Sequence, residues 1–160
     1  MTAFVLFLGA IVAQATVFQY LKEYGIAFDS VLAIAIVLGF MRGNYQQLMI
    51  PAFFAGIILD SMSGAPFGTI TTALMAALAA LSVLSTTFAR EHVIHFAVFA
   101  VVGSVLFSAI VFFITMLLDP YARMPIIGVL SIIGYNSAGT ILIYLFSRWI
   151  ILSKNRISGR

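Results

Sequence analysis

The sequence contains no cysteine, and charged side chains are scarce, with eight basic and five acidic residues among 160. Without cysteine the chain has no thiol nucleophile, no cysteine-ligated zinc and no redox switch. Charged residues make up 8% of the chain, whereas soluble domains average about 25%. So few charges could not cover a soluble globule with polar surface. A disordered chain, a disulfide scaffold and a nucleic-acid-binding domain are therefore excluded as classes.

Apolar residues dominate instead, at 63% of the chain with a mean hydropathy of +1.17. The few charges divide the sequence into six apolar stretches, and a bilayer core takes roughly 20 helical residues. We therefore predict an all-α integral membrane protein, a compact bundle of six transmembrane helices in one domain covering 1–160. The predicted helices span residues 2–21, 27–41, 46–60, 67–89, 92–118 and 126–152. The second and third are short, so we expect them to be tilted, partly re-entrant, or flanked by thin regions lined by protein.

The distribution of charge predicts the orientation. With a cytoplasmic N-terminus, six of the eight basic residues fall inside, as the positive-inside rule requires. These six are Arg42, Arg90, Arg148, Lys154, Arg156 and Arg160, and four acidic residues fall outside, namely Glu23, Asp29, Asp60 and Asp119. The first stretch lacks the basic n-region of a signal peptide, so we expect it to be a retained helix. Both termini are therefore expected in the cytoplasm.

Polar residues within the apolar stretches are candidates for function, because they are costly in a bilayer. Each also has a structural interpretation. Arg42 could be functional, or it could extend its charge to the interface at a helix end. Asp60 could be functional, or its carboxylate could accept backbone N–H groups of residues 61–64. Gln14, Thr16 and Asn136 could each simply form hydrogen bonds with a neighbouring helix.

Small residues indicate where helices approach closely. The fourth predicted helix is rich in threonine and alanine, which predicts that it lies buried at the centre of the bundle. The fifth carries bulky phenylalanines that we expect to face lipid or an interface, namely Phe96, Phe99, Phe107, Phe112 and Phe113.

A metal site and an active site are not expected. Glu91, His92 and His95 lie close in sequence, but the H-E-x-x-H order of a zinc protease is absent, and a solvated polar cap next to Arg90 is the simpler interpretation. Asp29, Asp60 and Asp119 fall at one membrane edge, whereas both histidines fall at the other. We therefore predict a protein that is not an enzyme and uses no cofactor.

An ordered series of motifs runs from the first predicted helix to the start of the fourth. It comprises Gln14-Ala15-Thr16, then Asp29 before a hydrophobic helix closing with Arg42-Gly43, then residues 54–60 (FAGIILD, with Gly56 and Asp60), then Gly64-Ala65-Pro66-Phe67-Gly68. Tyr135-Asn136 in the last helix is a weaker match. Over these residues the sequence resembles MreD, the family of rod-shape-determining membrane proteins of bacteria. That family commonly has proline where this chain has Phe28.

The resemblance implies a non-enzymatic subunit of the cell-elongation machinery in the bacterial inner membrane. Such a subunit would bind MreC directly and would work with MreB, RodA and the peptidoglycan transpeptidase, surrounded by membrane lipids. The implied fold is similar to the six-helix substrate-binding subunits of energy-coupling-factor transporters. A solute-binding subunit of such a transporter is therefore the alternative function.

Overall fold

The computed structural model describes residues 2–18, 20, 28–64, 66–86, 93–118 and 126–158, and these ranges contain helices and turns but no strand. The six helices are α1 (Thr2–Ala13), α2 (Ser30–Arg42), α3 (Met49–Ser63), α4 (Thr69–Leu84), α5 (Val93–Leu118) and α6 (Ile126–Ser158). A π-helical turn, Gln14–Phe18, continues α1, and a 3₁₀ turn, Gln46–Leu48, precedes α3. The prediction of an all-helical chain with six helices is thus confirmed over the described residues.

The ends of α2, α3 and α4 have local causes in the sequence. Asp29 caps α2, because its Oδ1 accepts a hydrogen bond of 2.9 Å from the backbone N–H of Leu32. Gly43 and Gly64 follow α2 and α3 with φ angles of 69° and 68°, and Gly68 precedes α4 with φ 93°. This left-handed conformation strongly favours glycine. Short turns therefore connect α2 to α3 and α3 to α4.

The second helix, rather than the fourth, lies at the centre of the molecule. Most of α2 is buried, whereas α4 has one buried face and one exposed face that includes Thr72, Ala76 and Ala79. The expectation of a central fourth helix was therefore wrong. The small residues of α4 mark one face of close approach, but they do not determine how many helices surround it.

Aromatic rings pack together at the C-terminal end of α2. Phe40 makes edge-to-face contacts with Phe96, Phe99 and Tyr144, at centroid distances of 5.1, 5.4 and 5.8 Å. The rings of Phe96 and Tyr144 stack on each other at 3.9 Å. Phe96, Phe99 and Phe107 are buried, so these three phenylalanines of α5 do not lie on the outer surface, and the lipid-facing one of their two expected placements was wrong for them.

Phe113 fits the lipid-facing placement, since its side chain is 67% exposed, and Phe112 is half-buried.

The contacts also give the relative directions of the central helices. Asp29 lies against Asn136 and Phe40 against Tyr144, so α2 and α6 run in the same direction. Gly103, in the middle of α5, lies against Ile36, in the middle of α2, since an added Cβ would be 2.8 Å from that side chain. Phe96, near the start of α5, contacts Phe40, near the end of α2. The fifth helix therefore runs against α2.

Large apolar side chains cover much of the outer surface. Phe4, Ile50, Ile94, Phe113 and Leu142 are among those with more than half of their area exposed. Two stretches, Val93–Leu118 and Ile126–Ile151, are long and apolar enough to cross a membrane, judged by length and composition. Three other apolar helices are shorter, namely Ala3–Val17, Ser30–Arg42 and Thr69–Leu84. The described fold is therefore all-helical, with two helices of membrane-spanning length.

Candidate functional site

The carboxylate of Asp60, near the end of α3, binds the beginning of α4. Its Oδ1 accepts a hydrogen bond of 2.8 Å from the backbone N–H of Ile70. Its Oδ2 accepts bonds of 3.0 Å from the backbone N–H and 2.5 Å from the hydroxyl of Thr71. Only 3% of Asp60 is exposed. We call Asp60, Gly56, Ile70 and Thr71 the Asp60 cluster.

The first turn of a helix explains why the carboxylate lies there. The leading N–H groups of a helix have no partner within it, and they carry its positive dipole end. Gly68, which precedes α4, has no side chain to cap them. Asp60 supplies the missing acceptors from the neighbouring helix. The expectation that it accepts N–H groups from residues 61–64 was therefore wrong, because its partners lie beyond the turn, at Ile70 and Thr71.

Gly56 allows the close approach that these hydrogen bonds need. It lies one helical turn before Asp60 and is buried. A Cβ added at this position would lie 2.8 Å from Thr71 Cα and 2.9 Å from Thr71 Oγ1. Such distances are too short for any side chain, and the first of them involves backbone. The motif pair Gly56 and Asp60 therefore acts as one unit that holds α3 against α4.

A second cluster of hydrogen bonds joins α1, α2 and α6. We call it the Gln14 cluster, and its members are Gln14, Phe28, Asp29, Ser30 and Asn136. Gln14 donates a hydrogen bond of 3.1 Å from Nε2 to the carbonyl of Phe28, and its Oε1 accepts one of 2.8 Å from the backbone N–H of Ser30. The Ser30 hydroxyl lies 2.8 Å from both Gln14 Oε1 and the carbonyl oxygen of Ala10. The end of α1 is thereby tied to the start of α2.

Asn136 adds the last helix to this cluster. Its Oδ1 accepts a hydrogen bond of 2.6 Å from the backbone N–H of Asp29, and only 1% of the residue is exposed. One turn further along α6, Gly139 makes room for the ring of Phe28, with which a Cβ at this position would clash. Asn136 and Gly139 therefore position the residues just before α2.

The remaining candidate residues take other places. Thr16 is exposed, and its hydroxyl donates to the carbonyl of Val12 on its own helix. Arg42 is exposed at the end of α2. Gly43, Gly64 and Gly68 occupy turns rather than helix contacts.

Sequence reasoning missed the two partners of Asp60, which are Ile70 and Thr71. Both contribute backbone N–H groups, for which the sequence carries no signal. Ser30, directly after Asp29 at the start of a predicted helix, did carry a signal, because short hydroxyl side chains favour helix starts.

Taken together, these groups bind one another and the backbone at helix ends. Within the described residues no group of three or more His, Asp or Glu side chains could hold a metal ion. His95 is half-buried in α5, and Glu91 and His92 lie outside the described residues. A shallow groove between α1 and α3 has a volume of about 30 Å³, and its lining includes Phe4, Leu8, Pro51 and Phe54. Ligand pockets are typically about 300–1,000 Å³, so this groove offers no room for one.

A scan against protein-family models finds no match for this chain, and searches of curated proteins and of solved structures find none either. The resemblance to MreD therefore stays a prediction from the series of motifs in the sequence.

Proposed function

We propose that this chain is a non-enzymatic scaffold of the bacterial cell-elongation machinery, with MreC as its direct partner. It acts in the inner membrane as a six-span bundle with both termini in the cytoplasm. MreB, RodA and the elongation transpeptidase are further members of the complex. The chain contributes by contact and holds its partners in position during peptidoglycan synthesis.

The hydrogen bonds of the motif residues support this proposal best. Asp60, Gln14 and Asn136 each bind backbone groups of a neighbouring helix at its start. Their hydrogen-bonding groups are thus directed at the fold itself rather than at a cavity. A protein that works by contact needs a rigid arrangement of helices, and these residues provide one.

The outer surface supports the membrane location. The exposed faces of α1 and α3 carry large apolar side chains, among them Phe4, Ile50 and Phe54. In lipid such faces need no polar cover, and a partner helix can pack on them. The shortness of α2 is compatible with a bundle, because protein rather than lipid surrounds most of it.

Co-purification tests the proposed partner. The tagged chain is expressed with and without MreC, extracted in mild detergent and purified. We expect MreC to be retained with the chain, and a membrane protein of similar size expressed in its place serves as the control. Failure to retain MreC or any other elongation component would contradict the proposal. A thermal shift of the purified chain with a panel of vitamins would instead support the solute-binding alternative.

A further inference from the structure

The last helix is much longer than a membrane requires. It runs from Ile126 to Ser158 over 33 residues, which is about 50 Å at ~1.5 Å per residue. Its apolar span ends at Ile151, and the hydrocarbon core of a bilayer is only about 30 Å thick. The helix therefore continues beyond the part that lipid tails would cover.

The positive charge of the chain is concentrated towards this end of the sequence. Residues 148–160, which we call the basic segment, contain Arg148, Lys154, Arg156 and Arg160, of which Arg160 lies outside the described residues. No Asp or Glu occurs anywhere in residues 126–160. The rest of the chain has four basic and five acidic residues, so the net charge of +3 arises entirely from the basic segment.

Trp149 indicates the depth at which the basic segment begins. Its side chain is 65% exposed and stacks on the ring of Phe146 at 6.1 Å. Exposed tryptophan is typical of the level of lipid headgroups. Lys154 follows five positions later on the same helix, about 7–8 Å further along its axis. This is within the screening length of about 8 Å at physiological salt, so its position is close enough to attract phosphate groups.

We propose that the basic segment binds the headgroups of anionic phospholipids and gathers them around the end of α6. Clusters of four or more Lys or Arg next to a membrane helix are suited to this role, and each basic residue near the surface strengthens binding roughly fivefold. The span Ile126–Ile151 holds the segment at headgroup level, so the lipids of its own leaflet are its nearest counter-charges. The inference requires membrane insertion, but it does not depend on MreC.

The lone tryptophan of the chain makes the inference testable in the intact protein. The full chain is reconstituted into vesicles of equimolar phosphatidylcholine and phosphatidylglycerol, and bromine atoms are placed on the acyl chains of one lipid or the other. Bromine quenches tryptophan fluorescence at short range. We expect Trp149 to be quenched about twofold more strongly when the anionic lipid is brominated, and we expect high salt to abolish the difference.

A variant carrying Lys154→Gln, Arg156→Gln and Arg160→Gln tests the charges directly. It should show equal quenching by the two lipids, whereas the matched control Lys22→Gln with Arg123→Gln, at the predicted opposite membrane face, should keep the preference. Equal quenching in the unmodified chain, or a preference that survives both high salt and the triple substitution, would overturn the inference. The absence of quenching by either lipid would instead contradict membrane insertion, and with it the proposed function.

Discussion

Asp60 gives the clearest case of one side chain that determines how two helices meet. Its carboxylate accepts two backbone N–H groups and one hydroxyl from the start of α4, in a buried position. Substitution Asp60→Ala would leave these donors without partners, at about 1–3 kcal/mol for each buried group. We expect the free energy of unfolding in detergent to fall by about 3 kcal/mol, measured by denaturant titration.

Ser61→Ala is the matched control for this change. Ser61 is the next residue along the chain, but it is exposed, and its hydroxyl donates only to carbonyls of its own helix. We expect a change within about 0.5 kcal/mol there. Equal effects of the two substitutions would show that the Asp60 hydrogen bonds do not stabilise the fold. Thr71→Val should have an intermediate effect, because it removes the hydroxyl and keeps the backbone N–H.

Gly56 is decisive for a steric reason. Any side chain there meets the backbone of Thr71 at 2.8 Å, and a helix backbone cannot move aside as a flexible side chain can. We expect Gly56→Ala to lower the free energy of unfolding by about 2 kcal/mol and Gly56→Leu by more. Thermal unfolding of the purified variants measures the effect.

Gly134 in α6 provides the opposite case, because a Cβ there meets no atom within 4 Å. Gly134→Ala should therefore be neutral or should stabilise the helix by up to about 1 kcal/mol. A Gly56→Ala variant as stable as Gly134→Ala would mean that α3 and α4 do not pack as closely as described.

At the scale of helices, the Gln14 cluster joins three elements that are distant in sequence. Gln14 and Asn136 both bind the backbone of the short segment at the start of α2. We expect Gln14→Leu and Asn136→Leu each to lower the free energy of unfolding by about 1–2 kcal/mol. Because they hold the same segment, the double variant should lose less than the sum, as a double-mutant cycle would measure.

Thr16→Val is the control for the Gln14 substitution, since Thr16 is exposed and binds only its own helix. It should leave stability nearly unchanged. Strict additivity of the Gln14 and Asn136 effects would contradict the idea that one shared segment links α1, α2 and α6.

The helices themselves could be predicted from sequence, whereas their packing could not. Charges and glycines such as Asp29, Gly43 and Gly64 interrupt the apolar stretches, so the number of helices follows from local signals. Burial depends on neighbours, and every face of α5 is apolar in sequence. Nothing in the sequence therefore distinguished buried Phe96 and Phe99 from exposed Phe113.

The candidate residues were recognisable because polar side chains are rare in this chain, but their partners were not. Asp60 and Asn136 stood out as isolated polar groups in apolar surroundings. Their partners are mainly backbone N–H groups, as at Ile70 and Asp29, and every residue except proline carries such a group. Which of them is reached depends on the distance between helices. That distance is fixed by Gly56 and Gly139, which the sequence alone does not pair with Thr71 and Phe28.

At the scale of the whole molecule, polar groups and apolar surface have separate roles. The Asp60 and Gln14 clusters bind helix starts, α2 occupies the centre, and large apolar side chains face outward. With short turns between α2, α3 and α4, the proposed six-span topology puts Asp29 and Asp60 at one end of the molecule and Arg42 at the other. The proposed membrane orientation requires that these two ends lie on opposite sides of the bilayer.

The absence of cysteine makes this orientation testable with single labels, because no native thiol competes. Ser63→Cys introduces a thiol at the exposed end of α3, and Gln47→Cys introduces one at the exposed turn between α2 and α3. We expect a membrane-impermeant maleimide to label Ser63→Cys in intact spheroplasts, because the proposed orientation puts the Asp60 end in the periplasm. Gln47→Cys should react only after the membrane is permeabilised, because the positive-inside rule places the Arg42 end in the cytoplasm.

The unsubstituted chain controls for background. Labelling of both thiols from one side would contradict a membrane-spanning α3, and a reversed pattern would place the basic segment of α6 outside the cell.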